Sequence, residues 1–207
     1  FYEFIWLSCI EPEIREDSGE IEACEKSTLP KLIKLSEIKG DLHTHTDFSD
    51  GRNTLEEMVF ASIKKGYEYV GISDHAPSVE TRGEAEVEKI IKIKKKEISE
   101  LNIKYPQIKI LFGYEVNILK NATLALPDKF LKELDYVIAS IHTSFKLEKS
   151  EITQRLLNAV RNPYVTFIGH PTGRLLNSRN SIDADWSLIF EEAKKNNKIL
   201  EINSQPD

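Results

Sequence analysis

From Lys39 onward the chain alternates short apolar runs with segments of helical periodicity, and this confines it to folds built from repeated βα units around a parallel sheet. Strands are predicted near 39–44, 68–73, 109–115, 135–141, 165–169 and 198–203, with helices near 54–65, 84–103, 127–134, 149–161 and 184–196. The first helix is well bounded: Thr54 and Glu57 have capping-box spacing, Leu55, Met58, Val59 and Ile63 form an apolar stripe, and Gly66 suits a left-handed stop. One βα series of six strands fits either an open doubly wound sheet or most of a closed barrel. Residues 1–38 differ. Pro12, Gly19 and Pro30 interrupt short helical pieces and no strand pattern occurs before Ile38, so the stretch reads as a linker or packing arm ahead of a domain at 39–207.

The histidines favour the barrel. His43, His45, His75, His142 and His170 all fall at or just past the C-terminal end of a predicted strand, with Asp50 in the loop after the first strand and Glu115 on the third. Those ends are where α/β folds gather their chemistry. Side chains alternate along a strand, so His43 and His45 share a face and can grip one metal ion. An open sheet with strands about 4.8 Å apart would spread the set along a wide edge, whereas a barrel brings it together. Imidazoles and carboxylates at equivalent strand ends make a metal-ligand set. Rival chemistries fit less well. Ser73-Asp74-His75 lies in no nucleophile elbow. Cys9 and Cys24 lie outside the βα series without CxxC spacing, as expected of reduced thiols in a cytoplasmic protein.

A net charge of -6 argues against a broad basic nucleic-acid face. The run Lys89 to Lys96, interleaved with isoleucines, reads as the solvated side of an amphipathic helix. Phosphate affinity must then be local: three divalent ions would outweigh the charges of Glu115 and Asp50 and make an acidic protein's pocket positive. The apolar start, Phe1 to Ile10, is interrupted by Glu3 and is too short to span a bilayer, so no membrane association is expected.

The runs GDLHTHTDFSDG, GISDHAP, FGYEVNIL, DYVIASIHTSF and FIGHPTGRLL resemble the successive motifs of PHP (polymerase and histidinol phosphatase) domains. They are most similar to the C-terminal PHP domain of bacterial and archaeal family X DNA polymerases, from about Pro12 to the end. The resemblance implies an α/β fold, a distorted (β/α)7 TIM-like barrel, with up to three divalent metals at its mouth. Mn, Zn and Fe all suit imidazole with carboxylate. It places His43 and His45 on the first metal, Glu115 between first and second, His142 and His170 on the second, and Asp50 and His75 on the third, with Asp47 as the carboxylate competing with Asp50. The catalytic candidates are Arg174, placed to pair with a substrate phosphate, and Asp74, for proton transfer or for orienting a ligand; Asp41 is a supporting partner.

The implied activity is hydrolysis of DNA phosphodiesters, of 3'-5' exonuclease type and serving repair, beside a polymerase domain in the same parent chain. A histidinol-phosphate-like small-molecule phosphatase and a non-catalytic structural module are the rivals. Both ends read as cut, since the chain begins at Phe1 and stops at Pro206-Asp207 just after a core strand. The Asp-x-His motif that closes such domains would lie beyond Asp207. The C-terminal strand is therefore expected to be missing, the first and third sites each one ligand short, and this chain impaired in activity.

Overall fold

The computed structural model describes residues 8–175 and 177–203. The chain divides after Ile38 into two compact units. In the first, short 3-10 turns at Pro12–Ile14 and Leu35–Glu37 flank a helix, α1 (Glu20–Glu25), which Gly19 opens in a left-handed conformation. Both cysteines are free thiols, and that of Cys24 is buried.

The second unit is a sheet of six parallel strands in sequential order: β1 (Gly40–Thr44), β2 (Tyr69–Ile72), β3 (Lys109–Asn117), β4 (Tyr136–Ser140), β5 (Phe167–Ile168) and β6 (Ile199–Leu200). Between them run α2 (Leu55–Lys64), α3 (Val79–Arg82), α4 (Glu84–Lys104), α5 (Asp128–Leu131), α6 (Lys149–Arg161) and α7 (Trp186–Lys195). A doubly wound sheet reverses its strand order at a switch point, whereas this order never reverses, which is the winding of a barrel. The curl is measurable. A flat sheet would hold β1 and β6 roughly 24 Å apart, five spacings of about 4.8 Å. Instead Glu201, just past β6, reaches His43 of β1 at 2.7 Å. The architecture is a curled parallel half-barrel, consistent with a distorted TIM-like barrel.

Side-chain size permits the curl. The Tyr136 hydroxyl, on β4, crosses the interior and donates to Leu42 O of β1 at 2.7 Å. A methyl group at Gly71 of β2 or Gly113 of β3 would overlap that ring, so glycine is what lets Tyr136 lie across both strands. Outside the sheet, Leu55 and Val59 of α2 and Ile91 and Ile98 of α4 share a buried core with Val70 and Ile72 of β2 and Ile110 and Phe112 of β3, and α6, which packs on β5 and α7, adds Ile152 and Leu156 to that core, with Ile189 from α7. Full burial of each such side chain stabilises by about 1.5–3 kcal/mol.

Local signals set the element ends. The Thr54 hydroxyl accepts from the Glu57 amide at 3.3 Å while Glu57 accepts from the Thr54 amide at 2.9 Å, and Gly66 at φ 75 follows the helix. The ladder of β5 is shorter than its apolar run. His170, two residues on, has φ 27, a conformation that leads the backbone away from the sheet. No helix among the described residues is long and apolar enough to cross a membrane.

Candidate metal centre

One carboxylate organises the mouth of the half-barrel. Glu115, on β3 and 2% exposed, has all five histidines around it. Its Oε1 lies 3.4 Å from His43 Nε2, 3.0 Å from His142 Nε2 and 2.8 Å from His170 Nε2. Its Oε2 lies 3.3 Å from His45 Nε2 and 3.2 Å from His75 Nδ1. Burial opposes the charge of Glu115, yet hydrogen bonds from His142, His170, His43 and His45 hold its carboxyl far below the usual carboxylate range. A buried anion ringed by nitrogen donors is stable only with compensating positive charge, from protons or metal ions.

The outer nitrogens are anchored too. His43 Nδ1 meets Glu201 Oε1 at 2.7 Å, His45 Nδ1 meets Asp50 Oδ1 at 2.7 Å, and His142 Nδ1 is paired with Asn117 Oδ1. Holding one ring nitrogen fixes the tautomer and presents the other to the centre, the arrangement that metal-ligating histidines show. Glu201 also accepts the His170 amide at 2.5 Å and so steadies the residue whose backbone is strained. Burial disfavours a charged His43, but hydrogen bonds and attraction from Glu115 and Glu201 prevail and raise its pKa to about 10. His45 is raised in the same way against burial, by Glu115 and Asp50. His75 is lowered, by burial first and then by repulsion from His45 and His142, despite the pull of Glu115 and Asp50.

Among the described residues, three donor groups, each with its ligand atoms within 4.8 Å of one another, have the composition of metal sites: His43, His45 and Glu115; His45, Asp50 and His75; and His75, Glu115 and His142. The seven residues expected from the motifs thus come together, with His170 joined to the same Glu115 oxygen as His142. The donor set fits divalent cations that accept imidazole and carboxylate. These groups line a cavity of about 740 Å³ that Arg174, Arg179 and Phe145 also line. The guanidinium of Arg179 lies 3.7 Å over the Phe145 ring and its Nε donates to Gly173 O. Asp41 accepts the His43 amide at 3.0 Å and borders the cavity.

Asp74 stands elsewhere. Adjacent residues of an extended segment point to opposite sides, so His75 faces the cavity while Asp74 turns into the core. It is fully buried and accepts from the Thr46 amide at 2.5 Å, the Thr46 hydroxyl at 2.8 Å and Ser49 Oγ at 2.9 Å, with Lys94 Nζ at 2.7 Å. No histidine is among these partners. Through Thr46 and Ser49, Asp74 anchors the loop that carries Asp50.

Residues 41–205 match the family model for the PHP domain. The chain belongs to the PHP domain family. A Bacillus subtilis relative named DNA polymerase/3'-5' exonuclease PolX is 42% identical over 206 residues, which is 100% of this chain and 36% of the relative. Probable phosphatases of Caldanaerobacter subterraneus and Photobacterium profundum are 34% and 33% identical, each over 79% of this chain and over 61% and 63% of their own lengths. This PHP chain therefore spans about a third of one relative and under two thirds of the others.

Sequence reasoning missed four supporting residues of this PHP centre. Glu201 sits at the end of β6, where the strand-end rule that found the histidines applies equally. Asn117 shares a strand face with Glu115 two residues before it. Lys94 was hidden in the basic run. Arg155, 1% exposed, holds the loops after β3 and β4 by donating to Leu119 O at 3.0 Å, Thr143 O at 3.1 Å and Ile118 O at 2.5 Å.

Proposed function

We propose that this PHP domain is a metal-dependent phosphoesterase that hydrolyses DNA phosphodiesters from 3' ends, and that residues 1–38 join it to a polymerase domain of a longer chain. The observation that carries the reading is Glu115 among five imidazoles, with Asp50 and Glu201 beside them. In this reading His43, His45, Asp50, His75, Glu115, His142 and His170 hold divalent cations, with Mn, Zn and Fe all suited to the set. Such cations, when bound, make a nucleophile available from water near neutral pH and draw charge from phosphoryl oxygens. The protein supplies the rest. Glu115 fixes the inner nitrogens around one point, and Glu201, Asp50 and Asn117 fix the outer ones. Arg174 and Arg179 line the cavity wall and offer guanidinium groups to substrate phosphates.

DNA is favoured over a small phosphate ester because the polymerase-exonuclease relative aligns with the whole chain, including the arm, whereas the probable phosphatases align with 79% of it. The experiment is degradation of 3'-labelled single-stranded DNA by the Mn-loaded protein and by His142→Ala, with histidinol phosphate as the competing substrate. Release of label that depends on His142 is the expected result. Equal release by both proteins, or turnover of histidinol phosphate in preference to DNA, overturns the proposal.

A further inference from the structure

A second cleft of about 550 Å³ adjoins the metal cavity and shares Asp50 and His75 with it. Its chemistry is different. Phe48, Ile90, Ile93 and Tyr114 line it, with Ser78 and Arg82 among its polar residues. Phe48 is 39% and Ile93 50% exposed, so large apolar side chains stand in water at the border of a highly polar centre. Tyr114 is 2% exposed, and its hydroxyl has no hydrogen-bond partner among the described residues. A phenol carries its proton at neutral pH and can donate it in a hydrogen bond. A buried donor without an acceptor in the wall of a cleft requires explanation, and a ligand acceptor is one.

A phosphate held by the histidine cluster carries an organic substituent, and the space next to Asp50 and His75 is this cleft. Its walls suit a flat, uncharged ring with hydrogen-bond acceptors better than a sugar or a second phosphate, which would leave Phe48 and Ile93 in contact with polar groups. We propose that the cleft is a nucleobase subsite, in which Phe48 and Ile93 pack on the base of the nucleotide whose phosphate enters the metal centre, and Tyr114 donates to an acceptor on that base. The proposal rests on the phosphoesterase reading above and adds the place where the base of the substrate is held. Phe48 and Asp50 lie on one loop, so base and metal ligand are positioned by the same segment.

Binding without turnover tests it. The Mn-loaded chain is titrated calorimetrically with thymidine 5'-monophosphate, 2-deoxyribose 5-phosphate and inorganic phosphate. Thymidine monophosphate should bind about tenfold more tightly than the sugar phosphate, the order of effect that a stacked base gives. Phe48→Ala, on an exposed position, should remove most of that difference and leave the sugar phosphate unchanged. Ile93→Ser should act in the same direction, and Tyr114→Phe should weaken only the nucleotide. Equal binding of nucleotide and sugar phosphate by the parent chain, or a preference that survives both Phe48→Ala and Ile93→Ser, overturns the subsite while leaving the phosphoesterase reading intact. Failure of all three ligands to bind in the presence of Mn overturns that reading and the subsite with it.

Discussion

Lys94 Nζ stands 2.7 Å from Asp74 Oδ2, and both side chains are sealed from solvent. The approach is that of an ion pair, without the alignment of a hydrogen bond, and the Tyr114 ring lies 4.3 Å from the ammonium. Burial lowers the Lys94 pKa to about 8 against the attraction of Asp74. Burial likewise works against the Asp74 charge, but Lys94 and the Thr46 donors keep its carboxyl below the usual range. Through Asp74 this pair ties α4 to the loop of Thr46, Ser49 and Asp50.

Lys94→Met should cost about 3–5 kcal/mol, because it leaves the Asp74 charge buried without its cation. The double variant Lys94→Met/Asp74→Asn should be more stable than Lys94→Met alone, since the uncompensated charge is gone while the amide still accepts from Thr46. Urea unfolding of the three chains checks this. A double variant no more stable than Lys94→Met would refute the ion-pair account.

Glu201→Gln keeps an acceptor for the His170 amide but cannot support a charged His43 or strengthen its ring as a ligand. Loss of such a carboxylate behind a ligating histidine lowers metal affinity by about 10–100-fold. Competition with a chelating dye should show this decrease, with the fold unchanged by circular dichroism. Affinity equal to that of the parent chain would mean that His43 needs no carboxylate behind it.

His43 also sets a pH dependence for the metal-free chain. Its pKa is raised in the fold to about 10, from an unfolded value of about 6.5. The stabilisation from its proton is therefore fully present below about 6.5 and is lost as pH rises toward 10. Thermal unfolding of the metal-free chain should occur at lower temperature as pH is raised across that window. Metal ions displace this proton, so metal binding at neutral pH should release protons, seen as a dependence of calorimetric heat on the ionisation enthalpy of the buffer. Binding heats independent of buffer would sink the idea.

Periodicity and position made the histidine cluster legible, since a histidine at a strand end has few structural reasons to recur at five places. The same rule applied to Glu201, but a lone glutamate reads as surface until a partner is known. Lys94 had a clearer signal. Val87, Ile91, Lys94, Ile98 and Leu101 occupy one helical stripe, and all are buried. The other lysines of that run pair at the surface, as Lys92 does with Glu88 and Lys95 with Glu133. Proximity in sequence to His75 says nothing of which side an alternating chain presents, and the structure turns Asp74 into the core. The curl of the sheet was readable only indirectly, through the need to assemble the ligands, because no residue in a strand announces how far its sheet bends.

That curl depends on Tyr136 fitting over two glycines, and the two contacts differ in kind. A methyl group at Gly71 would meet chiefly the Tyr136 hydroxyl oxygen, while one at Gly113 would meet ring carbons. Overpacking of this kind costs about 1–3 kcal/mol, so Gly71→Ala and Gly113→Ala should each destabilise the chain by that order. Tyr136→Phe removes the hydroxyl and, with it, the hydrogen bond to Leu42 O. It should therefore recover part of the loss in Gly71→Ala and almost none in Gly113→Ala, where the ring still clashes. Two double-mutant cycles by urea unfolding give the couplings directly. Equal coupling of Tyr136→Phe to both alanines would show that the glycines yield to the ring in some other way, and that the hydroxyl does not set the spacing between β2 and β4.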